Sequence, residues 1–248
     1  MSGSDNRAGK NGVTHDFAAE LAARRDKLRK KMFGEPDFSV EEISIEARKD
    51  GAQSAPVVLA AHAHFPTRFG MFELYGFVDR RNNKEHTAVV KDNISGAVDC
   101  PVRVHSQCHT GDVWGSLRCD CRDQLESALD YVSKQERGAV VYLKQEGRGI
   151  GLANKIRAYH LQDLGLDTIE ANEYLGFPAE ARSYDVAAAI LRTLGVRSVA
   201  LITNNPDKIT KLTEEGIEIT RRIPVVIPWN KHNETYMQTK QESMGHLF

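Results

Sequence analysis

Three cysteines in this chain are spaced as ligands to a single ion. In the run HSQCHTGDVWGSLRCDC, ten residues separate Cys108 from Cys119, and Cys121 completes a Cys-x-Cys pair. Any fold in which the three act together must bring them to one point. Three thiolates on zinc leave its fourth position open, the mark of a metal that activates water; structural zinc sites are closed by four protein ligands. The fourth cysteine, Cys100, lies eight residues before Cys108. On spacing alone a closed four-Cys site, a disulfide and a set of plain buried thiols therefore compete with the open site.

The opening MSGSDNRAGKNG lacks the apolar core of a signal peptide, which points to the reducing cytoplasm, where clustered cysteines more often mean metal or catalysis than disulfides. At 248 residues the chain has enough length for one large domain or two small ones,. A formal net charge of −1 gives no electrostatic argument for a nucleic-acid partner,. No apolar run approaches the roughly 20 residues that span a bilayer, so no membrane partner is expected.

Residues 1 to about 15 are polar and Gly/Ser/Asn-rich and read as a disordered leader,. Phe17 to Met32 has helical spacing, and its basic half, RRDKLRKK, reads as a solvated face,. From Val57 the texture changes. VVLAAHAHF, MFELYGFVD, HTAVVKD and CPVRVHS are short β-prone runs,. From Asp123 helices alternate with strands: DQLESALDYV with Leu125, Ala128, Leu129 and Val132 in one stripe, the strand GAVVYLK, a helix over 150–164, a helix over 184–194, the strand RSVALIT, the helix PDKITKLTEEG and the closing run IEITRRIPVVI,. The expected fold is mixed α+β and α/β. A β-rich first half precedes alternating helices and strands in one catalytic domain over 57–248, with residues 1–56 as an N-terminal extension.

Two strand-to-helix turns carry candidate chemistry. LKQEGRGIGLANK places glycines where backbone amides and a helix N-terminus can meet phosphate,. It is not a dinucleotide fingerprint, since position 152 is Leu, and it has no Gly-Lys-Ser/Thr of a P-loop,. Arg148 in its middle favours an anion contact. In LITNNPDKI, Thr203 and Lys208 are placed to meet a phosphate or a base edge, while Asn204 and Asn205 read as turn and cap residues,. Taken alone, Lys208 would face solvent.

With these segments VRVHSQC, TGD, GSLRCDC, QEGRGIGL, KIRAY, EANEYLGF, TNNPDK and the terminal MGHL in order, the chain resembles the GTP cyclohydrolase II family, from about Ala60 to Phe248. The resemblance implies opening of the guanine imidazole ring of GTP. The products would be 2,5-diamino-6-ribosylamino-4(3H)-pyrimidinone 5′-phosphate, formate and pyrophosphate, the first step of riboflavin biosynthesis. It implies one Zn²⁺ on Cys108, Cys119 and Cys121, setting Cys100 aside, Mg²⁺ with the polyphosphate, and a homodimer. It places GTP contacts on Arg103, Val104, His105, Ser106, Gln107, Gln124, Glu146, Gly147, Arg148, Thr168, Thr203 and Lys208. Arg182 matches the arginine proposed to attack the α-phosphate, Glu180 its acidic partner, and Tyr159 a tyrosine near the zinc-bound water.

Gln124 and Glu146 have the groups to hold a base edge, a carboxylate accepting from ring N–H and amino groups suiting guanine over adenine. The chain departs from the family pattern at two positions: Glu180 stands where Asp is usual, and Gln107 where Glu is usual before the first cysteine. These leave open a paralogue with altered substrate or product, such as a uracil-catabolism relative, and a non-catalytic nucleotide-binding protein is the third possibility. The first 56 residues are too few for the dihydroxybutanone-phosphate synthase fused to some relatives.

Overall fold

A run such as GAVVYL is apolar at every position, so as a strand it must be covered on both faces. Around that requirement the chain builds one seven-stranded mixed sheet with helices on either side. The computed structural model describes residues 56–178 and 182–234, together with Ala23, Lys27, Met237, Gln238, Gln241, Gly245 and Leu247. The helix expected over 17–32 lies outside these residues, apart from Ala23 and Lys27, which are helical. The chain divides into two units, Met1–Glu46 and Ala47–Phe248, and the sheet belongs to the second.

Three antiparallel strands lead: β1 (Val57–Thr67), β2 (Gly70–Asp79) and β3 (Lys84–Lys91). Then come β4 (Cys100–Ser106), α1 (Cys121–Ser133) and β5 (Gly138–Leu143). Helices α2 (Leu152–Asp163), α3 (Thr168–Tyr174) and α4 (Asp185–Thr193) precede β6 (Ser198–Ile202), α5 (Pro206–Glu214) and β7 (Glu218–Ile223). The order across the sheet is β1-β2-β3-β5-β4-β6-β7. The β3–β5 pair is antiparallel, whereas β4 runs parallel to both β5 and β6, and β6 parallel to β7.

The strand period of two sorts the core into two layers. On one face Val102, Val104, Ala139, Val141, Leu143, Val199 and Leu201 pack with Val186, Ile190 and Leu191 of α4 and Leu212 of α5. On the other, Val140, Ala200 and Ile202 pack with Ala128 and Val132 of α1. The expected strands and helices appear with ends shifted by a residue or two. One element was not foreseen: α3, whose signal is the capping box Asp167-x-x-Glu170, with both reciprocal bonds formed,. The run IEITRRIPVVI pairs as a strand only as far as Ile223, the residue before Pro224,.

Chain passes from β4 to β5 on one side and later to β6 on the other, so the strand order reverses at β4. In open α/β sheets a crevice forms at the carboxyl ends of strands at such a point.

Gly138 sets how closely β5 approaches β4 and α1. A Cβ there would lie 2.8 Å from the Pro101 carbonyl oxygen and 3.1 Å from Val132 Cγ1. Neither neighbour is a flexible side-chain end. Gly138→Ala is expected to destabilise the fold by about 1–3 kcal/mol, as overpacking does, and to lower the melting temperature by several degrees. Calorimetry checks this; an unshifted transition would contradict the close approach.

Candidate active site

Strand β4 delivers opposite chemistry to its two faces. Val102 and Val104 enter the apolar layer, so alternation turns Arg103 and His105 the other way, toward α1,. Both are buried, at 4% and 2% exposure. Beyond the carboxyl end of β4 come Gln107 and Cys108, beyond β5 the turn Glu146–Gly149, and beyond β6 Thr203 to Asn205. Residues from all three ends line one cavity, which also takes in Cys119, Cys121 and Gln124 at the start of α1 and Tyr159 on α2.

The three cysteines converge at its wall. Their sulfurs lie within 4.8 Å of one another, with Cys108 Sγ 3.7 Å from Cys119 Sγ. A π-helical turn, His109–Val113, joins the first cysteine to the rest, and the Gly111 N–H donates to Cys108 Sγ at 3.3 Å. Gly111 is there for room: a Cβ would lie 2.8 Å from Cys119 Sγ and 3.1 Å from Cys108 Sγ. Cys121 is the first residue of α1, where the helix's positive end favours a thiolate,. Three converging sulfurs, no bulk between them and no fourth protein ligand among the described residues suit one divalent metal with an open position,. Cys100 is buried in the opposite apolar layer, where burial pushes its thiol up to about 11.

Charge is arranged around Cys108. Hydrogen bonds from the Cys119 and Cys121 thiols, with Lys155 nearby, hold Cys108 far below the usual thiol range. The same negative charge raises its two neighbours, Cys119 to about 11. Lys155 Nζ donates to Cys108 Sγ and to Glu146 Oε1, each at 2.9 Å. Burial works against its ammonium, but Cys108, Tyr159 and Glu146 outweigh that and hold its pKa above the ordinary lysine range. Glu146 also accepts from the backbone N–H groups of His109 and Gly147.

Asp112 ties the cysteine loop to the sheet. Its carboxylate accepts from the Cys108 N–H at 2.9 Å and from the Tyr142 hydroxyl at 2.8 Å, and lies 3.2 Å from His105 Nε2. A carboxylate only accepts, so the His105 proton sits on Nε2. Burial pulls the imidazole's pKa down further than Asp112 restores it, leaving the ring neutral at pH 7. His105 Nδ1 and Arg103 Nε have no partner among the described protein atoms.

Of the residues expected in the site, Arg103, His105, Ser106, Gln107, Gln124, Gly147, Arg148, Tyr159, Thr168, Arg182, Thr203 and Lys208 all line this cavity with the three cysteines. Val104 and Glu146 adjoin it without lining it. Val104 offers its carbonyl to Lys208 Nζ at 2.7 Å, so Lys208, at 4% exposure, does not face solvent as it would alone. Arg148 sits in a left-handed turn, φ +60°, between Gly147 at +61° and Gly149 at +96°. Tyr159 Oη meets Thr110 Oγ1 at 3.3 Å, and burial raises its hydroxyl to about 12. Glu180 lies outside the described residues. Asn205 stands at the N-cap of α5, yet its side chain makes no capping bond. Asn204 clamps Val225 through the 225 N–H, at 3.0 Å, and carbonyl. Arg118, Lys155, Gln162 and Asn172 also line the cavity and were not singled out from the sequence. Lys155 had one usable signal, its place one turn into the helix that follows the glycine-rich loop.

A family model described as GTP cyclohydrolase II matches residues 58–224. The chain is 54% identical over 186 residues to a GTP cyclohydrolase-2 of Picrophilus torridus, covering 75% of this chain and 96% of that protein. It is 52% identical over 182 residues to the riboflavin biosynthesis protein RibBA of Bacillus mycoides, covering 73% of this chain. It is also 46% identical over 229 residues to RibBA of Chlorobium phaeovibrioides, covering 92% of this chain. The match spans 46% and 54% of those two proteins, about half their length.

The thiol cradle predicts the effect of one methyl group. Gly111→Ala is expected to purify with well under one metal ion per chain and to bind added metal at least tenfold more weakly, within the range seen when a metal site's supporting groups are disturbed. Metal analysis and a chelator competition measure this. A variant that retains a full complement of metal would show that the loop yields and that Gly111 is not required.

Proposed function

The chain belongs to the GTP cyclohydrolase II family, and from that premise we propose how its own residues divide the work of opening the guanine ring of GTP. It is a hydrolase of GTP cyclohydrolase II type, acting in riboflavin biosynthesis. The observation that carries the assignment is the convergence of Cys108, Cys119 and Cys121 on a cavity that also holds Gln124, Arg148 and Arg182. In this reading the three thiols hold Zn²⁺, and Mg²⁺ accompanies the polyphosphate. When bound, the zinc supplies Lewis acidity that makes water a usable nucleophile near neutral pH.

The base lies against the thiol trio, with Gln124 at its edge. Glu146, expected there too, is already engaged by Lys155 and two backbone N–H groups; its part is to hold Lys155 beside Cys108, where the ammonium balances thiolate charge. Tyr159 keeps its proton at working pH, since its hydroxyl is raised to about 12, and so serves as a hydrogen-bond donor beside the reacting carbon. Arg148 and Arg182 take the phosphates. A guanidinium stays protonated at any working pH, so Arg182 stabilises charge at the α-phosphate as pyrophosphate leaves. Glu180, one carbon longer than the usual Asp, is the acidic partner that the resemblance assigns to it. The working unit is a homodimer in a reducing cytoplasm, a setting that suits four free cysteines,.

Incubation with GTP and Mg²⁺ is expected to release formate and pyrophosphate from zinc-loaded protein. Zinc-loaded protein that yields no formate would overturn the proposal. Cys119→Ser is expected to lose metal and formate release together, because a serine hydroxyl is a poor zinc ligand. Arg182→Ala separates the two halves of the reaction: pyrophosphate release should fall by at least tenfold, while any ring opening that survives assigns Arg182 to the phosphates alone.

A further inference from the structure

Asp120 stands at the N-cap of α1, where an aspartate ordinarily accepts from the first helical N–H groups. Here its side chain makes no capping bond. It is 1% exposed and accepts instead from Gln124 Nε2. The other end of the same amide, Gln124 Oε1, accepts from Arg103 Nη2. Arg103 is anchored in turn by Nη1, which donates to the Ile202 carbonyl at 3.0 Å.

The order of these groups fixes the amide. A guanidinium can only donate and a carboxylate can only accept. Turning the Gln124 amide over would set its NH₂ against Arg103 and its oxygen against Asp120, breaking two charge-assisted bonds and creating two repulsions in a buried place. The amide still has one N–H and one lone pair uncommitted by these two bonds, and Gln124 lines the cavity. It therefore offers the cavity one donor and one acceptor in an order that cannot be exchanged.

We propose that Asp120 is a specificity-determining positioning residue that locks the Gln124 amide so that the cavity accepts guanine and rejects adenine; this rests on the reading above that places the base at Gln124. Along the edge bearing their N1 atoms the two purines present reversed pairs. Guanine offers a donor at N1–H beside the acceptor O6, and adenine an acceptor at N1 beside a donating amino group. An amide free to turn serves either, whereas a locked one pairs with guanine and leaves unmatched groups against adenine, a strong basis for discrimination in a buried site. Diverting Asp120 from its helix end is what the lock costs.

Asp120→Asn tests this, since asparagine keeps the size but can meet the Gln124 amide in either orientation, which removes one of the two anchors and leaves Arg103 alone to hold the amide,. The readout is the ratio of the ATP inhibition constant to the GTP KM in the formate assay, on enzyme whose zinc content has been checked. The lock predicts that this ratio narrows by roughly tenfold, the value of a hydrogen bond to a charged group, and that Asp120→Asn changes it no further in a Gln124→Ala background. A ratio that holds in Asp120→Asn, with both nucleotides weakened in parallel or not at all, overturns the proposal and leaves Asp120 a structural role only. Gln124→Ala alone separates the premise from the inference: a ratio unchanged there removes Gln124 from the base and the reading with it. If Gln124→Ala narrows the ratio and Asp120→Asn does not, only the lock fails.

Discussion

The most demanding constraint in this fold is the burial of Arg103 and His105 on the central strand of a sheet. Strand β4 has parallel neighbours on both sides, so its side chains leave only through the two faces. One face is filled by Val102 and Val104 in the apolar layer. The polar residues must emerge on the other, beneath the metal loop. An unpaired buried charge costs several kcal/mol even after relaxation, so the fold tolerates Arg103 only because other elements bring it partners.

Those partners come from the segment that carries the cysteines. Asp112 meets His105, and Asp120 reaches Arg103 through the Gln124 amide. The two acids of the loop thus answer the two polar residues of β4. Asp112 also accepts the backbone N–H of Cys108, and Asp120 sits between Cys119 and Cys121, so each contact that gives the strand a partner also positions a cysteine. The thiol trio is thus tied to the sheet as well as to its own loop, and it converges with no fourth protein ligand among the described residues.

Much of this was legible in the sequence. The strands announced themselves as apolar runs, and the helices as stripes ending at Gly or starting at Pro. Most of the residues named by the resemblance of ordered motifs line the cavity, Val104, Glu146 and Glu180 being the exceptions among those named. What stayed hidden depends on pairing across the chain. Lys155 is an ordinary lysine in NKIRAY until the fold sets it 2.9 Å from Cys108. Lys208 alone suggests solvent, yet it is buried against the Val104 carbonyl, 104 positions away. Asp120 stands at an N-cap, a position that favours aspartate, and nothing in the local sequence shows that its side chain makes no capping bond and meets Gln124 instead. Helix α3 was missed because a seven-residue helix shows too little periodicity to register, although its capping box was in plain view,.

A network built this way does not respond to substitution one residue at a time. Arg103, Gln124 and Asp120 satisfy one another along this chain of bonds, so removing one withdraws a buried partner from the next. Effects inside the set should fall well short of additive, while a change at Gly138, which acts on sheet packing through Pro101 and Val132, should add to them independently. The same logic bears on the two departures from the family pattern. Gln107 stands beside Cys108 where the family pattern has an acid, and its backbone N–H is bonded to the Leu143 carbonyl at 2.8 Å, so the strand end keeps its place whatever the side chain. The change removes a negative charge next to a cavity already lined by Arg103, Arg118, Arg148, Arg182 and Lys208. On the proposed reading it strengthens the pull on a polyphosphate without disturbing the acids that hold β4, so that guanine selection at Gln124 would stay physically separate from phosphate affinity at the arginines.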